Sequence, residues 1–218
     1  MRRVVIPELL DSDSGTEDEI SSSLTDLRRI NQWFGGTATS RELLRSVARK
    51  TGRRKLAVLD VAGGSGYVGE AVAHELRRDG IEVTTAVVDR AATHLRAANG
   101  VAGDALALPF GDDTFDVVTS TLFVHHLEPE EVTRFAREGL RVARVAFQIN
   151  DLIRDPIHLA LVYAGLPLFG RITRHDSVAS VKRAYTLEEM RGMIEQARPS
   201  QLEIARHYLY RMGVTAWK

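Results

Sequence analysis

Three aspartates stand where a ligand could be recognised. Asp60 follows the apolar run of residues 56–59 (LAVL), Asp89 closes residues 82–89 (EVTTAVVD), and Asp104 follows Gly103 in residues 103–110 (GDALALPF). An ionised carboxylate only accepts hydrogen bonds, so it suits an ammonium group, a pair of ribose hydroxyls or the amino group of a base. Just past Asp60 runs Ala62-Gly63-Gly64-Ser65-Gly66, ahead of Val68, Val72 and Leu76 at helical spacing. Glycines allow positive φ and close approach of a ligand, and the helix start adds unpaired N–H groups and a positive dipole end. Gly64, Gly66 and Gly69 meet the dinucleotide pattern G-x-G-x-x-G, and Asp89 lies twenty positions beyond Gly69, so a NAD reading is open. Asp60 argues the other way, because a carboxylate before the glycines repels a pyrophosphate and attracts the ammonium of an amino-acid moiety.

The elements that must carry these residues follow from pattern. Residues 56–59 read as a strand buried on both faces, the glycines as its turn, and the stretch up to Gly80 as a one-sided helix closed by glycine. Strands are expected again at 82–89, 100–103, 115–122 and 141–150, with helices at 90–99 and from Glu128 onward between them. About 35 residues then separate the fifth strand from Thr186 and include an apolar helix at 157–166; after them come a helix at 186–197 opened by Thr186 and Glu189, and two strands near 201–205 and 208–216. This alternation predicts an α/β fold with ligands at the carboxyl ends of its strands. Ahead of it stand an extended arm at 2–14, a helix from Thr16 capped with Glu19, a break at Gly35 and Gly36, and a helix at about 39–50. Trp33 and Phe34 at the break are expected to close a pocket or to pack between helices and sheet.

Residues 58–66 (VLDVAGGSG) resemble the first motif of the class I S-adenosylmethionine-dependent methyltransferases, especially the ubiquinone/menaquinone-biosynthesis type. The resemblance implies a Rossmann-like, seven-stranded, mostly parallel sheet with helices on both faces and an N-terminal helical lid. It divides the chain into arm and lid (1–54) and methyltransferase domain (55–218), with an acceptor-covering insertion at about 151–185. It implies S-adenosylmethionine as cofactor, cradled by Asp60, Ala62, Gly63, Gly64 and Gly66, with Asp89 and Arg90 at the ribose, Asp104 and Ala105 at the adenine, and Thr121 near the reacting end. Ala62 stands in a glycine slot of the motif, and the cradle survives there if that residue is extended. The implied reaction is O-methylation of a small, mainly apolar phenol, quinol or polyketide-like acceptor, with C-methylation of a quinone precursor as the alternative. A module that binds the cofactor without catalysis is a further reading.

Candidates for acceptor chemistry lie later in the chain. His126 is a possible general base. The pair His125-His126 invites a metal, yet neighbouring side chains diverge on a strand or helix and no third ligand is close in sequence, so no metal is assigned. Residues 171–177 and 182–185, read as loop, gather Arg171, His175, Arg183 and Tyr185, which could orient a phenol or carboxylate and take its proton.

Composition narrows the partners. Of 218 residues, 29 are lysine or arginine and 29 aspartate or glutamate, so no global positive field gathers nucleic acid. There is no cysteine, which removes disulfides and thiolate chemistry. Residues 1–15 hold too short an apolar run for a signal peptide, and a soluble cytoplasmic protein is expected. Part of the insertion could serve a homodimer contact.

Overall fold

The computed structural model describes residues 1–12, 14–90, 95 and 100–218. Seven strands form one sheet: β1 (Lys55–Val61), β2 (Glu82–Asp89), β3 (Gly100–Ala102), β4 (Phe115–Thr121), β5 (Ala143–Leu152), β6 (Gln201–His207) and β7 (Arg211–Trp217). Their order is β3-β2-β1-β4-β5-β7-β6. Ladders β3-β2, β2-β1, β1-β4 and β4-β5 are parallel, and β7 runs antiparallel to both β5 and β6. Strand order reverses between β1 and β4, which opens a crevice at their carboxyl ends where an open α/β sheet takes its ligand.

Among the described residues, seven α-helices accompany the sheet: α1 (Glu17–Trp33), α2 (Gly36–Thr51), α3 (Tyr67–Arg77), α4 (Pro129–Val142), α5 (Pro156–Gly165), α6 (Arg171–Arg183) and α7 (Leu187–Glu195). Side chains alternate across a strand, so β1 feeds two cores. Leu56 and Val58 pack with Leu44, Val47 and Ala48 of α2 and Val72 and Leu76 of α3. Leu59 and Val61 join Val132, Phe135 and Ala136 of α4 and Met190, Met193 and Ile194 of α7 on the other face. Helix α2 is therefore part of the sheet's own packing. Gln148 and Asn150 of β5 fasten it, their amide groups donating to Leu43 O at 2.9 Å and Gly36 O at 2.7 Å.

The expected caps are present: Thr16 with Glu19 starts α1, and Thr186 with Glu189 starts α7. Several expectations are corrected. Gly35 alone breaks the chain, at φ +80°, and Gly36 is already helical. Trp33 and Phe34 are 62% and 39% exposed, so neither packs as a buried plug. Residues 171–183 form helix α6 rather than a loop. Its buried positions are Ile172, Thr173, Asp176, Ala179, Ser180 and Val181, mostly small or polar, so no apolar stripe marks it. They are satisfied from elsewhere: Thr173 Oγ1 donates to Asp26 Oδ2 of α1 at 3.0 Å. The helix expected at 90–99 lies outside the described residues apart from Arg90 and Leu95. The extended arm is docked: Val4 N–H donates to Lys182 O at 3.0 Å, and Leu9 and Leu10 N–H donate to the two oxygens of Asp176 at 2.8 and 3.0 Å.

Candidate active site

Asp60 is the second-to-last residue of β1 and is 4% exposed. Its side chain is not turned into the apolar core; a Cβ on Gly63 would fall 2.7 Å from Asp60 Oδ2, so the glycine turn folds directly over the carboxylate. Only glycine fits there. Asp60 Oδ1 is buried and accepts no hydrogen bond among the described residues. Burial, with the Asp89 charge adding to it, pushes this carboxyl up to about 7. Asp60 borders a small cavity between α2 and α3, with Ser40, Val68, Thr85 and Thr121 in its wall.

The turn itself departs from expectation at Ala62. This residue is not extended: its φ is +57°, a left-handed conformation that costs an L-residue about 1–2 kcal/mol. Its N–H donates to Val88 O at 2.7 Å, so that amide belongs to the sheet and is not offered to a ligand. Gly64 and Gly66 are also left-handed, at φ +53° and +75°, and Gly66 starts α3. Asp89, at the end of β2, accepts the Gly64 N–H at 2.9 Å through Oδ2, which ties the neighbouring strand to the turn. Arg90 follows, exposed. Asp104 is exposed and closes a tight turn, accepting the Leu106 N–H at 2.9 Å, with Ala105 inside that turn. Thr121 lies 3.2 Å from Ser40 Oγ, linking the end of β4 to α2.

These residues fit a cationic amino acid joined to a nucleoside. A buried, unpaired carboxylate oxygen with a second carboxylate nearby lacks positive charge, which an ammonium supplies and a pyrophosphate does not.

A second polar centre lies behind β4, where a short turn at Val124–His126 presents both histidine rings. The rings do not diverge; their centroids are 4.2 Å apart. His125 is buried, with Nδ1 2.7 Å from Asp151 Oδ1. Burial favours its neutral form, but the charges of Asp151 and Glu8, with the Asp151 hydrogen bond, outweigh this and raise its pKa. Glu8 and Asp11, which sequence reading missed, reach this turn from the arm. No local signal could have found them, since more than a hundred residues intervene.

Of the residues expected to handle the acceptor, Arg183 and His126 are brought together: Arg183 donates to the His126 carbonyl. His175 is placed apart, exposed on α6, its Nδ1 2.9 Å from Asp176. Tyr185 is buried and donates to Leu127 O at 2.6 Å, and burial pushes its hydroxyl up to about 12, so it is no proton acceptor. Asn150 faces α2 rather than an open site.

Comparison with known proteins agrees with this geometry. Residues 58–145 match the methyltransferase domain model. The mitochondrial 2-methoxy-6-polyprenyl-1,4-benzoquinol methylase of Xenopus laevis is 33% identical over 109 residues, which span 44% of this chain and 35% of that protein. The ubiquinone/menaquinone biosynthesis C-methyltransferase of Ruegeria sp. (strain TM1040) is 27% identical over 79% of this chain and 76% of its own length. A plantazolicin methyltransferase solved with a triazolic desmethyl analogue and S-adenosylhomocysteine has the same fold, with a TM-score of 0.71 over 96% of this chain and 93% of that one at 14% identity. Residues 58–145 thus match a methyltransferase domain, and the strand order and overall fold are similar to those of a solved methyltransferase.

Proposed function

We propose that this chain moves a methyl group from S-adenosylmethionine to the oxygen of a small, mainly apolar phenol, quinol or polyketide-like acceptor. The observation that carries the donor half is the orphaned Asp60 oxygen under the glycine turn. Asp60 faces the amino-acid end, Asp89 the ribose and Asp104 the adenine. The bound donor supplies an electrophilic methyl on a sulfonium. What the chain contributes is alignment of the acceptor and exclusion of water.

The acceptor half is supported by the stretch between β5 and α7. Ile157, Leu161 and Leu168 there are 61%, 49% and 78% exposed, an apolar surface suited to an aromatic or polyketide-like body. Arg183 has an Nε that is buried and makes no hydrogen bond among the described residues. A guanidinium beside the acceptor's oxygen favours its ionised form, so the acceptor reacts as the phenolate, its proton given up to solvent before methyl transfer, which leaves the sulfonium a neutral thioether. His126 has both ring nitrogens turned toward carboxylates and serves as a wall rather than a base. His175, on the outer side of α6, contributes through its contact with Asp176.

A second reading, methylation at carbon, is favoured by the names of the frog and Ruegeria relatives, a benzoquinol methylase and a C-methyltransferase. Incubating the chain with S-adenosylmethionine and a panel of phenols and quinols, then locating the added methyl by NMR, separates the two. O-methyl products support the first reading and C-methyl products the second. Calorimetry showing NAD(P) bound and S-adenosylmethionine ignored would sink both.

A further inference from the structure

The cluster formed by Glu8, His125 and His126 has no part in donor binding. Its three groups come from the N-terminal arm and the turn after β4, and one ligand-capable atom from each lies within 4.8 Å of the others. Each ring has its Nδ1 beside a carboxylate: His125 at 2.7 Å from Asp151 Oδ1, His126 at 3.0 Å from Asp11 Oδ2. An imidazole that donates Nδ1–H to a carboxylate keeps a lone pair on Nε2, the arrangement that orients histidine ligands in metal sites. Both Nε2 atoms face the same oxygen, Glu8 Oε1, at 3.4 and 3.8 Å. His125 Nε2 is buried and has no hydrogen-bond partner among the described residues. Glu8 is oriented in turn by Ser180, whose Oγ donates to Oε1 at 2.7 Å.

We propose that Glu8, His125 and His126 bind a divalent transition-metal ion of the zinc type, with Asp151 and Asp11 as the carboxylates that orient the two imidazoles. Spacing and charge both favour it. Bonds of about 2.0–2.1 Å in tetrahedral geometry set ligand atoms about 3.3 Å apart, close to the separations from Glu8. Two imidazole nitrogens and one carboxylate oxygen are donors that zinc, cobalt(II) and iron(II) accept, with a position left open. The groups facing this centre are Glu8, Asp11 and Asp151 on the negative side and Arg183 on the positive side. The two ring centroids lie 4.2 Å apart, which brings both Nε2 atoms within reach of one ion. A divalent ion there offsets the negative charge of the three surrounding carboxylates. The ion joins the arm to the β4–α4 turn and clips shut a long loop.

The test titrates the tag-free full chain with Co²⁺ and Zn²⁺ in the absence of any methyl donor, so its outcome is independent of the proposed reaction. Expected are one equivalent bound, measured by calorimetry, and visible ligand-field bands for Co²⁺. His126→Ala and the near-isosteric Glu8→Gln, neither of which opens the apolar core, should each weaken binding roughly a hundredfold. Failure of Co²⁺ to bind, or binding that both variants leave unchanged, overturns the proposal and leaves the cluster as an ion pair.

Discussion

At the scale of single residues, the crevice is governed by two carboxylates with different duties. Asp89 accepts the Gly64 N–H, and in the proposed donor site it faces the ribose. Asp89→Ala should weaken S-adenosylmethionine binding by about 1–3 kcal/mol, roughly five- to 150-fold. Calorimetry checks this, and an unchanged Kd would remove the ribose assignment. Asp60 instead pays through burial. Its carboxyl is raised from 3.8 to about 7 in the folded chain. Below about pH 4 it is neutral in both states. Above that the unfolded chain releases the proton while the folded chain keeps it, so stability falls as pH rises toward 7 and levels off beyond. Other carboxylates titrate in part of this window, so the measurement is the difference from Asp60→Asn: the variant's Tm should gain on the parent's as pH climbs from 4 to 7. A constant gap would mean that Asp60 is not desolvated.

At the scale of elements, the arm and α6 depend on each other. Asp176 accepts from two consecutive backbone N–H groups of the arm, and Ser180 holds Glu8. Hydrogen bonds to a charged group contribute about 1.5–3 kcal/mol, so Asp176→Ala should raise arm opening roughly ten- to a hundredfold. Limited proteolysis with a glutamate-specific protease reads this as faster cleavage after Glu8. Equal cleavage rates would show that the arm is held by other contacts. The same pairing explains why α6 escaped sequence reading: a helix that buries Thr173, Asp176 and Ser180 against polar partners has no apolar period to detect. Its neighbour α7 was legible because Met190, Met193 and Ile194 face an apolar core and a capping box marks its start.

At the scale of the whole molecule, one sheet aligns everything. The reversal between β1 and β4 sets the crevice, and its rigidity rests on close packing of α4. Gly139 shows how close: a Cβ there would meet Phe147 Cδ2 at 2.2 Å, and Phe147 is packed edge-on against Phe135 at 4.9 Å. Gly139→Ala should cost about 1–3 kcal/mol through overpacking, seen as a lower denaturant midpoint with unchanged slope. A wild-type midpoint would mean that α4 can shift on the sheet. Among the described residues no helix is long and apolar enough to cross a membrane.

The amino-acid order alone determined the strand–turn–helix at Asp60 to Gly69, β2 to its last residue, and the capped starts of α1 and α7. These are short-range matters, settled by side-chain period, glycine spacing and caps within a few residues. Only the tertiary structure decided that Ala62 is left-handed, because the Val88 carbonyl from the next strand claims its amide. It also brought Glu8 to the two histidines and turned Tyr185 inward. Such outcomes hang on partners far along the chain, and folding brings those together through contacts that local pattern does not encode.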